Sequence, residues 1–259
     1  MTETTMRAIL MQKDAVQVLR NMDSSGSLVD LEPSLAALRM PLRPGYHHKD
    51  NLTHSLQVLE NAISREPNEP DLIVRTAALF HDIGKPATRK FGKKGEVTFE
   101  GHETVGSHMV RRILKQHGYT KPEISEISKL VAFHMRSHGY TPELWTDSAV
   151  RRLITDVGDE TSMNRLFILF YSDVTTKYDS KRERLHQDVD NLRDAVMNVT
   201  AADARKALRP AVNGNEIMAR FNLTPGPQLG AIMKWLNSDE GIHLTAEEAY
   251  QTVEKKFFQ

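Results

Sequence analysis

Apolar residues recur along most of this chain at helical spacing. From Leu52 they fall at Leu52, Leu56, Leu59 and Ile63, the i, i+4, i+7 and i+11 positions of one helix face. Similar stripes run through Val105, Met109 and Ile113; through Ile124, Ile127 and Val131; and through Val150, Leu153 and Val157. Two more follow, at Met163, Leu166 and Phe170 and at Leu185, Val189, Leu192 and Val196. The segment 72–80 is apolar enough to be a largely buried helix. One stretch, 96–100, after the turn-like Gly92-Lys-Lys-Gly95, reads as a short strand or a loop. Thr245-Ala-Glu-Glu248 reads as a capping box opening a last helix, Pro227 suits a first helical turn, and Asn213-Gly214 is a turn signal. The pattern predicts an all-α fold: a helical lead-in over residues 1–40, a main helical body over 41–200 and a small helical tail over 201–259.

Composition narrows the class. The 259 residues carry 34 Lys+Arg against 34 Asp+Glu, a balance that argues against strong non-specific binding to nucleic acid. There is no cysteine, which excludes disulfide partners, iron–sulfur ligation and thiolate zinc sites. No apolar run approaches the ~18–20 residues of a membrane span. The start, Met1-Thr-Glu-Thr-Thr, lacks the basic-then-apolar pattern of a secretion signal, so a cytoplasmic setting without membrane contact is expected.

The chemistry lies in the placement of the 11 histidines. His81-Asp82 ends the apolar segment 72–80, where a buried imidazole and carboxylate are costly unless hydrogen-bonded or bound to metal. Gly84 then reads as a helix stop. His134 continues the stripe Ile124, Ile127, Val131, and Asp173 continues Met163, Leu166, Phe170, so both point inward. Taken singly, each reads as a buried hydrogen-bonded residue. His54 borders the apolar arc of its helix, and His102 sits at a helix start, where it is expected to be well exposed to a cleft. Together these four imidazoles and two carboxylates, without sulfur, form a ligand set for Mn, Fe, Co or Ni, with Zn or Mg as further options, and it is large enough for one or two ions. An Asp can bridge two ions about 3.5–4 Å apart, so that a bridging hydroxide attacks phosphorus.

His54…His81-Asp82…Asp173 resembles the metal motif of the HD phosphohydrolase superfamily, and His102 and His134 match the extra histidines of its two-metal members. The surrounding text, including the segments 49–56, 78–88, 99–106 and 145–152 and the later 213–218, 225–230 and 245–249, resembles the HD half of bacterial CCA-adding tRNA nucleotidyltransferases. Only about 40 residues precede the HD body, where that family has a nucleotidyltransferase head with a Gly-Ser turn and an Asp-x-Asp pair. Asp188-Val-Asp190 has no Gly-rich turn before it and reads as a solvated helix face, so CCA addition is expected to be absent.

The resemblance implies an HD helical bundle whose metal ligands are His54, His81, Asp82, His102, His134 and Asp173, with Asp82 as the bridge. It implies hydrolysis of a nucleotide or RNA-end phosphate, such as a 2′,3′-cyclic phosphate or phosphomonoester, with tRNA as a suggested partner. Asp82 and Lys85 are the catalytic candidates, Lys85 holding a phosphate oxygen as a point charge. Lys85 reads equally as a surface lysine at a helix end. Arg136, His138 and Lys177 are substrate-binding candidates, with Thr176 beside Lys177, and His138 rivals His134 as a ligand if the helix continues. Arg151-Arg152 and 181–184 read as surface charge, and His47, His48 and His108 have no assigned role. A headless RNA-binding body without catalysis and an HD-type di-iron oxygenase are the alternative readings.

Overall fold

A computed structural model of the chain describes residues 5–40, 50–67, 69–92, 96–141 and 143–259. The architecture is all-α, with a single two-stranded ribbon among the described residues. Four short helices lead in: α1 (Met6–Leu10), α2 (Ala15–Ser25), α3 (Leu28–Leu31) and α4 (Pro33–Ala36). Then come α5 (Asn51–Ile63), α6 (Leu72–Phe80), α7 (Lys85–Thr88), α8 (His102–Gln116), α9 (Lys121–Phe133), a 3₁₀ segment (His134–Gly139), α10 (Asp147–Val157) and α11 (Glu160–Asp173). The long α12 (Asp179–Ala207) precedes α13 (Gly214–Phe221), α14 (Pro227–Leu236) and α15 (Ala246–Phe257). No described helix is long and apolar enough to cross a membrane.

By contacts the chain divides into two compact units, Met1–Met197 and Asn198–Gln259. In the first, α5, α6, α8, α9 and α11 pack on one another around fully buried Val58, Phe80, Val131, Leu166 and Phe170. The starts of α5, α6, α9 and α11 are fixed by side-chain caps. Asp71 accepts from the backbone N–H of Ile73 and Val74, and Thr120 and Glu123 form a capping box at α9. Arg75, buried on α6, donates to the carbonyls of Leu10 (2.7 Å) and Gln12 (2.9 Å) and grips Glu66 with both Nε and a terminal nitrogen, which ties the end of α1 to the bundle. Arg165 of α11 likewise joins Asp71 (2.7 Å) to Glu126 (2.5 Å). The second unit closes on Val212, Ile217, Ile232, Leu236, Ala249 and Val253.

The structure departs from the sequence reading in local detail. Within 96–100 only Val97–Thr98 is a strand, β2, and it pairs antiparallel with β1 (Lys90–Phe91), a partner too short to show any alternation. Residues 93–95 of the turn before it lie outside the described residues, as do His47 and His48. Asn213-Gly214 opens a helix: Asn213 caps α13 and exchanges hydrogen bonds with Glu216 in a capping box. Gly84 has φ −78°, so it is no left-handed stop. It is glycine because a Cβ there would stand 2.2 Å from the His102 carbonyl oxygen and 2.7 Å from the Gly106 nitrogen, where α7 presses on α8.

Candidate metal centre

Five of the six residues singled out as ligands stand at helix ends. His81 follows the last residue of α6 and Asp82 comes next; His102 opens α8 behind the left-handed Gly101 (φ 77°); His134 follows α9; and Asp173 closes α11. His54 lies within α5, one turn after the cap Asp50. These ends converge. One donor atom each from His54, His81 and Asp82 lie within 4.8 Å of one another, and so do donors from Asp82, His102 and His134.

Asp82 belongs to both groups, and its two oxygens divide between them. Oδ2 is 3.5 Å from His54 Nε2 and 3.3 Å from His81 Nε2, while Oδ1 is 3.3 Å from His102 Nε2 and 3.7 Å from His134 Nε2. Asp173 stands on the first side, its Oδ1 3.0 Å from His54 Nε2 and 3.4 Å from His81 Nε2.

The ring orientations are set locally. His81 Nδ1 lies 2.9 Å from the Ala78 carbonyl, His102 Nδ1 2.8 Å from that of Phe99 and His134 Nδ1 2.7 Å from that of Val131. A carbonyl only accepts, so each Nδ1 carries a proton and each ring turns its Nε2 inward, where a neutral ring offers a lone pair. The result is two Nε2–Nε2 approaches, 3.1 Å between His54 and His81 and 3.2 Å between His102 and His134. Lone pairs that close repel unless a cation or proton stands beside them. Four imidazole nitrogens, three of them oriented by backbone carbonyls, together with two carboxylates fit a divalent transition metal.

Residues 51–192 match the family model described as the HD domain. The chain belongs to the HD domain family. It is 28% identical over 234 residues to the A-adding tRNA nucleotidyltransferase of Deinococcus radiodurans, covering 89% of this chain and 52% of that protein. It is 31% identical over 247 residues to the CC-adding tRNA nucleotidyltransferase of Thermus thermophilus, covering 93% and 53%. The Multifunctional CCA protein of Pseudomonas paraeruginosa matches at 32% over 126 residues, 48% of this chain and 28% of that one. The chain thus spans about half the length of the first two of these curated relatives.

The electrostatics of this HD domain favour a bound cation. Burial disfavours charge on His81, yet Asp82 and Asp173 outweigh it and raise its pKa to about 10. Burial, reinforced by that neighbouring charge, pushes His134 down to about 3. Burial also works against ionised Asp82 and Asp173, but the surrounding imidazoles hold both well below the usual carboxylate range. The HD cluster is therefore a buried, ionised pair of carboxylates that keeps positive charge among the imidazoles.

A cavity of about 610 Å³ opens beside the HD cluster, lined among others by Lys85, Phe99, Met135 and His138. Lys85 forms an ion pair with Asp82 Oδ2 and begins α7. His102 lines the cavity but is only 6% exposed, against the expectation of a well-exposed side chain, because Phe99, His134 and Asp82 enclose it. The 3₁₀ segment starts at His134, so the α-helix that would have aligned His138 with it does not continue. His134 sits beside His102, whereas His138 lies 3.5 Å from Asp173 Oδ2. Thr176 lines a second cavity. Arg136 and Lys177 line neither: both are exposed, Arg136 over the Phe133 ring and Lys177 over Tyr178. Arg151 pairs with Asp147 along the surface of α10, and His108 is exposed.

Two participants were not read from sequence. Thr175 Oγ1 lies 3.1 Å from His54 Nδ1 and orients that ring, and Gly84 lets the His81-Asp82 turn seat against His102. Thr175 gives no periodic signal, being two residues beyond a helix end. The i−3 carbonyl partners of His81, His102 and His134 are a local signal that a closer reading of helix ends finds.

Proposed function

We propose that the chain is a metal-dependent phosphohydrolase acting on a nucleotide or RNA-end phosphate, such as a 2′,3′-cyclic phosphate or a phosphomonoester. One observation carries this reading: a single buried carboxylate, Asp82, gives one oxygen to each of two histidine pairs at the wall of an open cavity. His54, His81, Asp82 and Asp173 would hold one ion, and Asp82, His102 and His134 a second. When bound, ions such as Mn, Fe, Co or Ni, or alternatively Zn or Mg, polarise phosphoryl oxygens and bring the pKa of water towards neutrality.

The chain's own residues supply the rest. Lys85, already in the cavity wall, exchanges Asp82 for a phosphate oxygen and neutralises part of its charge. His138, half-exposed in the cavity wall and 3.5 Å from Asp173 Oδ2, would serve as proton donor to the leaving oxygen. An RNA-end substrate is favoured by the likeness to enzymes named for tRNA nucleotidyl transfer. The test is hydrolysis with added Mn²⁺ across 2′,3′-cyclic nucleotides, mononucleotides, dNTPs and cyclic dinucleotides. Activity on one class that vanishes in Asp82→Ala is expected. Lys85→Ala should keep its metal and raise KM by about tenfold or more, the loss of a charged hydrogen bond. Silence across the panel with metal shown to be bound, or full activity in Asp82→Ala, overturns the reading.

A further inference from the structure

A second cavity of about 460 Å³ adjoins the first through His138 and Asp173, which line both. Two elements build most of its wall: the segment 174–176 after α11, and the first turns of α12. On α12, Lys181, Leu185, Asp188 and Val189 stand at i, i+4, i+7 and i+8 and share one face. Asp188 is thus not on the solvated side of its helix but is half-buried in this wall, and it has no hydrogen-bond or ion-pair partner among the described residues.

The lining decides what fits. Val174, Leu185 and Val189 present apolar surface, and Thr176 and Asp188 present acceptors. A second phosphate suits the cavity poorly, because the carboxylates of Asp188 and Asp173 oppose an anion and Lys181 is exposed. A flat heterocycle suits it well, with apolar side chains against its faces and a carboxylate at its polar edge. The volume lies within the range of roughly 300–1,000 Å³ usual for small-molecule sites.

We propose that this second cavity receives the base of a nucleotide whose phosphate lies at the His/Asp cluster, and that Asp188 selects guanine. The placement of the phosphate rests on the phosphohydrolase reading above; the recognition of the base does not. Guanine presents a ring N–H and an amino group side by side, which the two oxygens of a carboxylate accept together. Adenine and cytosine place an acceptor beside their amino group, and uracil flanks its N–H with carbonyls, so each sets an oxygen or nitrogen lone pair against Asp188.

The experiment is titration of the full-length chain with guanosine, inosine, adenosine and uridine by calorimetry or saturation-transfer NMR. Guanosine should bind tightest, with inosine, which lacks the amino group, about tenfold weaker, as for loss of half a bidentate contact. Asp188→Asn should erase that preference, and Leu185→Trp should block all four nucleosides. Equal binding of the four, or a guanosine preference that survives both variants, overturns the proposal. If Asp188→Asn fails to fold, the guanosine–inosine comparison on the unaltered chain decides it. Nucleosides carry no phosphate, so guanosine binding without any Mn²⁺-dependent hydrolysis sinks the phosphohydrolase reading and leaves the base site standing. Competition by guanosine 3′-phosphate and by an oligonucleotide ending in that group separates a free nucleotide from an RNA end as the source.

Discussion

The two compact units share helix-forming rules but have opposite interiors. The unit Asn198–Gln259 closes on aliphatic side chains, caps α13 and α15 with capping boxes, and leaves ion pairs such as Lys256–Glu240 at the surface. The unit Met1–Met197 also has an aliphatic core, yet it buries His81, Asp82, His102 and His134 together, with Asp173 against them. Burying charge costs several kcal/mol per ion unless pairing offsets it, so packing alone would not select such a cluster. The difference teaches where to look for function: in one unit every buried group serves packing, and in the other a costly polar centre persists beside a cavity.

The largest effect that sharpens this contrast is Asp82→Ala. It takes a donor from both histidine groups, so metal content by elemental analysis and Mn²⁺-dependent hydrolysis should both fall to background. Leu236→Ala is the counterpart in the other interior. It should cost that unit about 2–5 kcal/mol in denaturant unfolding, as for other buried leucines, while metal content and hydrolysis stay unchanged. A Leu236→Ala chain that lost its metal would break the comparison.

Gly84→Ala tests how tightly the cluster is framed. A methyl group aimed at the His102 backbone should cost about 1–3 kcal/mol through overpacking and weaken Mn²⁺ uptake as α7 moves off α8. Unchanged stability and affinity would show that the two helices yield there without strain. The smallest effect is at the surface of the first unit, where Arg7 on α1 draws the Glu123 carboxyl from its ordinary 4.5 down to about 2, chiefly through their hydrogen bond. A carboxyl with a depressed folded-state pKa adds stability that is present above pH 4.5 and lost as pH falls towards 2. The stability gap between the unaltered chain and Arg7→Ala should therefore close over that window, and it should be slight because Arg7 is 44% exposed and screened.

His81, Asp82, His134 and Asp173 were legible because each continues an apolar stripe or ends a buried helix, whereas His54 and His102, on an arc's border and at a helix start, joined them through an order and spacing that resemble a known motif. The helical body was legible from period, since α5, α8, α9, α10 and α11 lie where the stripes put them, and from the continuous apolar run that became α6. What escaped depends on groups distant in sequence or on backbone approach. Gly84 reads as a stop until His102 is seen behind it. Strand β1 has only two residues. Asp188 flanks the stripe Leu185, Val189 by one position, and only the neighbouring 174–176 segment makes that flank a cavity wall.

The change of helix type at His134 has a geometric consequence. In an α-helix a residue four places on is rotated about 40° from the first, and in a 3₁₀ helix about 120°. By tightening its winding at His134, the chain turns two histidines of one short segment a third of a circle apart. One then faces the bundle interior and the other the space where the two cavities meet. Winding pitch, with no change in composition, thus separates an inward-facing imidazole from one open to an incoming molecule.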